Sequence, residues 1–230
     1  MTPPKTAPDR LAELKALFSG DTHVYIDYAN IRKACERLGW RVNLQKLKKA
    51  LDSTGSVKFI GFYFGTMVGN SGSEGFVARA KKEGFSVVTK PVKCMNLSIN
   101  VSSISLQSPD ILRSFMSETI IRALTVKAIE YLNQQLLDLN KQGKLSLEVR
   151  KCNFDVEIAS DMRIDHALGK AQTYCLWSGD SDFAHPILQL LEAGRKVVVV
   201  ARGVTAELNE LKPAGLVIHD IRKLKDVICE

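Results

Sequence analysis

Paired cysteines are missing from this sequence. Its five cysteines, Cys35, Cys94, Cys152, Cys175 and Cys229, are scattered, odd in number, and form no CxxC pair. That pattern argues against a disulfide framework and against a structural zinc site, and it predicts reduced thiols in a cytosol-like compartment. No apolar run is long enough to span a bilayer, and the opening MTPPKTAPDR has no hydrophobic signal core. The expectation is a soluble, cytoplasmic protein with no membrane partner. Phosphate-cradling signatures are absent too: there is no GxxxxGK[ST] and no GxGxxG after a strand, so neither a P-loop NTPase nor a dinucleotide site has support. None of the four histidines, His23, His166, His185 and His219, sits in a ligand-like pair, and no internal repeat is present.

What is present is an ordinary globular composition, 45% hydrophobic and 25% charged. The 230 residues suffice for one large α/β domain carrying an insertion. Lysine and arginine number 32 against 25 acids, a net charge of +7 that favours a polyanionic partner.

Residues 1–20 read as a Pro- and Thr-rich tail, disordered to about residue 8, and a short helix, Arg10 to Phe18, capped by Asp9. Short apolar runs follow at Val24–Ile26, Val57–Phe64, Phe85–Thr89, Tyr174–Trp177, Lys196–Val200 and Leu216–His219. They alternate with amphipathic segments, several closed by glycine. This predicts a three-layer α/β/α sandwich with a mostly parallel central sheet over residues 21–230. Residues 91–148 break the alternation and read as a helical insertion. Within it Pro91–Ser108 is polar and aperiodic, Pro109–Lys141 reads as one long amphipathic helix, and Leu145–Val149 as an edge strand. The helix stripe is expected to pack on its own core, with a homo-oligomer face as the alternative.

Acids recur where a parallel sheet would gather them. Asp27 ends the first strand, Asp180 follows the Tyr174–Trp177 strand, and Asp182 stands at the mouth of the next helix. Asp155 and Asp161 lie in the segment leading into that strand, with Asp165 at helical spacing from Asp161. Two carboxylates about 4 Å apart repel by roughly 4 kcal/mol at an effective dielectric of 20. Several in one cleft therefore hold protons or bind a cation, and an all-oxygen set suits Mg²⁺ or Mn²⁺. Plainer roles compete: Asp182 as a helix cap, Asn30 as the cap of the first helix, and Asp161 and Asp165 as a solvated helix face.

Three stretches, IDYANI at Ile26–Ile31, KCNFDVEIASDM at Lys151–Met162, and LWSGDSDFAHPILQLLEAGRKVVVVA from Leu176, together resemble the NYN domain family of the PIN-like nuclease superfamily. The resemblance implies a metal-dependent ribonuclease hydrolysing RNA phosphodiesters at aspartates that bind Mg²⁺ or Mn²⁺. On that reading Asp27, Asp155, Asp161, Asp180 and Asp182 are catalytic, with Asp27, Asp161 and Asp180 as metal ligands. Asn30, Ser178, Lys151 and Arg163 would hold substrate, and Lys90, Lys93, Arg150 and Arg202 are further candidates for phosphate contacts. The rival reading is a non-cleaving RNA- or protein-binding module on the same fold.

Overall fold

The strand that ends in the first acid, β1 (Thr22–Asp27), is buried along its whole length. The computed structural model describes residues 6–230, so the first five residues of the expected tail lie outside the described residues. Around β1 the chain builds α1 (Ala7–Leu17), α2 (Tyr28–Glu36), α3 (Leu44–Asp52), β2 (Val57–Thr66), α4 (Ser71–Lys82) and β3 (Ser86–Pro91). Then come β4 (Lys93–Ser98), α5 (Glu118–Ala123), α6 (Val126–Lys141) and β5 (Ser146–Lys151). The last part is α7 (Asp155–Ala167), β6 (Thr173–Trp177), α8 (Ala184–Glu192), β7 (Lys196–Ala201), α9 (Ala206–Asn209), β8 (Val217–Asp220) and α10 (Lys225–Ile228). By contact the described residues divide into two compact units, residues 92–152 and residues 6–91 together with 153–230.

The larger unit holds a six-stranded sheet of order β3-β2-β1-β6-β7-β8, every pairing parallel. It is the α/β sandwich that the alternation predicts. Strands before β1's partner β6 extend the sheet one way and later strands extend it the other. Connections therefore diverge at β1 and β6, and open sheets of this kind leave a ligand crevice beyond the strand ends at such a point.

Because side chains alternate along a strand, β1 presents two different faces. Val24 and Ile26 join Phe62, Trp177, Val198 and Val200 in an apolar core with Leu14, Ile31, Leu47, Leu51 and Ile228 of the helices. His23, Tyr25 and Asp27 point the other way, beside Phe59 and Tyr63 of β2. That second face lies under α7, and it is mixed aromatic and polar.

Local chemistry moves several expected boundaries. The first helix starts at Ala7 because Asp9 acts at its third position, accepting from the Thr6 amide at 2.8 Å and the Thr6 hydroxyl at 2.7 Å. Asn30 is not the cap of α2: Asp27 is, its carboxylate accepting from the Asn30 amide at 3.2 Å. Asp182 caps nothing; Asp180 caps the 3₁₀ turn Ser181–Phe183 that leads into α8.

In the smaller unit β4 and β5 pair antiparallel. The single helix expected over Pro109–Lys141 is instead a 3₁₀ turn, Leu112–Ser114, followed by α5 and α6. Thr125 forces the last break, its hydroxyl accepting from the Ala128 amide at 3.2 Å to cap α6. Leu112, Ile121 and Ile129 share a small core, and the buried Asn133 donates to the carbonyls of Leu106 and Ser108 at 2.7 Å each.

Candidate metal centre at the sheet switch point

Asp27 sits at the carboxyl end of β1 and is only 8% exposed. Its two oxygens are held by weak partners: the Asn30 amide at 3.2 Å on one, the Ser178 hydroxyl at 3.5 Å on the other. Ser178 also accepts from the Asp180 amide at 3.4 Å, tying the turn after β6 to the end of β1. Asp180 in turn accepts from the Asp182 amide at 3.4 Å, and Asp182 itself is exposed.

Burial pushes the Asp27 carboxyl above its usual range, against the Asn30 amide, and the charges of Asp155 and Asp180 push the same way. Asp155, at the start of α7, is raised as well, first by burial and then by Asp180 and Asp182, with Asn153 and Lys90 opposing. β1, α7 and the β6 turn thus bring Asp155 and Asp180 within electrostatic reach of Asp27, and Asp180 and Asp182 within reach of Asp155.

The other two aspartates of α7 go elsewhere. Asp161 is six residues from Asp155, about 9 Å along a helix axis. Its carboxylate accepts from the Tyr63 hydroxyl at 2.7 Å, and burial followed by that carboxylate pushes the Tyr63 phenol up. Asp165 takes Tyr25 at 2.7 Å, His23 Nδ1 at 2.8 Å and Lys170 at 3.1 Å. Although burial raises it, those donors hold its carboxyl below the usual range. Neither acid lies on a solvated face: both meet groups that rise from the sheet.

A hard divalent cation is the partner whose charge would reverse the repulsion at Asp27 and Asp155, and an oxygen-only donor set is the one it prefers. The donors fit such an ion in kind. In spacing they are not closed round one point, since among the described residues no three acid, imidazole or thiol groups are gathered closely enough to hold a metal.

The cations expected on the substrate side divide by place. Lys90 pairs with Glu157 at 2.5 Å and lies over the Phe154 ring. Arg163 lines a groove on the outer side of α7 with Val156 and Ile164. Lys93, Arg150 and Lys151 belong to the β4–β5 ribbon of the smaller unit, Arg150 pairing with Glu148 at 2.6 Å. Arg202 stands at the end of β7 and lines a hollow with Asn30, Lys33, Arg37 and Arg222. Lys33 and Arg37 escape a reading by motif. Their signal is the spacing Asn30, Lys33, Arg37, one helix face directly after the first acid.

The fold and the acid-rimmed strand ends define a PIN-like α/β protein. The NYN domain description matches residues 21–214, and the chain belongs to the NYN domain family. A crystal structure of a protein of unknown function from Vibrio parahaemolyticus is similar in fold, with TM-score 0.54 at 15% identity over 92% of this chain and 96% of that one. Comparison with curated proteins gave no match. No helix among the described residues is long and apolar enough to cross a membrane.

Proposed function

We propose that this chain is a metal-dependent ribonuclease that hydrolyses RNA phosphodiesters. The observation that carries the reading is that β1, α7 and the turn after β6 bring Asp27, Asp155 and Asp180 to the point where the sheet's connections diverge. Membership of a family with a PIN-like nuclease fold supports it.

Asp27, Asp155 and Asp180 would bind Mg²⁺ or Mn²⁺ in part through retained waters, as their open spacing requires, with Asp182 adding negative charge beside Asp155. Asp155 takes the place expected of Asp161, whose carboxylate is engaged by Tyr63. A bound divalent ion supplies Lewis acidity and a hydroxide near neutral pH. The chain's own residues do the positioning: the Asn30 amide and Ser178 hydroxyl orient Asp27, and the Asp182 amide orients Asp180. The net charge of +7 favours approach of the polyanion towards a negative centre.

The test is cleavage of a labelled RNA in Mg²⁺ or Mn²⁺ by the parent and by Asp180→Asn. The parent should give product at a rate at least about 100-fold above the variant, the upper end of what is lost when a group one shell from a metal is removed. Equal rates would remove the assignment. The second reading, an RNA-binding module that does not cut, draws on the open spacing of the acids. RNA bound tightly by the parent in Mn²⁺ with no product would decide for it.

A further inference from the structure

Immediately beside the acids lies a hollow of about 500 Å³ whose lining is basic. Lys33 and Arg37 face it from α2, Arg202 from the end of β7 and Arg222 from beyond β8. Its lining contains no carboxylate. Arg222 is already engaged by Asp220, which holds its guanidinium at 2.5 and 2.9 Å. The neighbouring Arg32 faces Glu36 at 3.5 Å, whereas among the described residues no ion pair takes up Lys33, Arg37 or Arg202. Three uncompensated positive charges therefore share one concave site.

The hollow is continuous with the acid centre. Asn30 lines it and gives its amide to Asp27; Gly179 lines it and stands between Ser178 and Asp180. The backbone floor is tight, because a Cβ at Gly179 would run into the carbonyl oxygen of Gly203. Like the acids, the hollow lies beyond the carboxyl ends of β1, β6, β7 and β8, where such sheets take ligands. A solvated basic face would need neither concavity nor that position.

A phosphodiester carries one negative charge, while a phosphate monoester carries about 1.5 to 2 at pH 7 and offers three acceptor oxygens. Three free cations match the monoester. We infer that this hollow takes the terminal phosphate of an RNA strand, placing the linkages next to that end over Asp27, Asp155 and Asp180. The inference rests on the ribonuclease reading and names the substrate class for it: RNA ends bearing a phosphate monoester.

One RNA sequence, internally labelled, would be prepared with a 5′-phosphate, a 3′-phosphate or hydroxyls at both ends. Binding to the full chain would be read by fluorescence anisotropy in EDTA, and cleavage in Mn²⁺ as kcat/KM. One of the phosphorylated RNAs should bind about tenfold or more tightly than the hydroxyl-ended RNA, and which one it is identifies the end. That preference should vanish in Arg37→Gln and in Arg202→Gln, each with a shallower salt dependence by about one charge. Lys82→Gln, an exposed lysine on α4 that lines no part of the hollow, should keep it. Equal binding of all three RNAs by the parent overturns the inference, as does a preference that survives in Arg37→Gln and Arg202→Gln. Cleavage by the parent without end preference sinks the hollow's role and leaves the nuclease reading standing. A parent that neither binds nor cleaves any of the RNAs removes both.

Discussion

Asp27 and Asp165 are equally hidden, each 8% exposed, on the same face of the sheet, yet their carboxyls are pushed in opposite directions. Asp165 accepts from a tyrosine, a histidine and a lysine, all within 3.1 Å. Asp27 has weaker partners, the Asn30 amide at 3.2 Å, the Ser178 hydroxyl at 3.5 Å and the Ala29 amide, and it faces two further carboxylates. Burial alone thus does not decide what a buried acid is for; the partners do. Satisfied by three donors, Asp165 holds α7 onto the sheet. Asp27 caps α2 but carries a charge that burial and two carboxylates disfavour, which is what the proposed metal site would relieve.

The sharpest way to break this contrast is Asp27→Asn. Cleavage of RNA should fall at least about 100-fold, while thermal stability rises by about 1 kcal/mol, roughly 2–4 °C for a chain of this size. Loss of both together would mean that Asp27 is a structural acid like Asp165. Next comes Asp165→Ala, expected to cost about 3 kcal/mol, since it strands His23 and Tyr25 without their acceptor. The urea midpoint should drop with an unchanged slope, and the rate per folded molecule should hold. Acid titration separates the two variants by sign. Asp165's contribution is present above the unfolded carboxyl value of about 3.9 and is lost as pH falls through its lower folded value. Asp27 runs the other way: stability is full below about 3.9 and is lost as pH rises through its raised folded value. Asp165→Ala should therefore flatten the acid limb of the stability curve, and Asp27→Asn should remove the decline above it. The smallest effect is expected of Tyr63→Phe, about 1 kcal/mol for one hydrogen bond to Asp161. An unchanged cleavage rate in that variant would keep Asp161 with the structural set; a collapse would return it to the metal centre.

Much of this fold is legible in the residues. β1, β2, β6 and β7 are apolar runs in the sheet; Asp27 closes the first, and Asp180 comes after Ser178 and Gly179 at the end of β6. The middle acids are harder to read. Asp155, Asp161 and Asp165 share one helix, but which of them reaches the first acid depends on tyrosines about 100 or more positions away in the chain, outside any local period. β4 is also hidden from pattern reading. In Lys93–Ser98 both faces are exposed apart from Leu97, so no alternation marks the strand. The helix break at Thr125 is masked for the opposite reason: the apolar stripe runs on across it, and the cap shows only as a lone Thr.

The contact between the Gly179 turn and Gly203 carries one more consequence. A methyl group there would have to wedge the β6 turn away from the β7 turn, carrying Asp180 off to one side and Arg202 to the other. Negative and positive halves of the rim are accordingly coupled through a single missing side chain. Changes elsewhere can tune either half by itself, whereas a change at that hydrogen-only position disturbs both in one stroke.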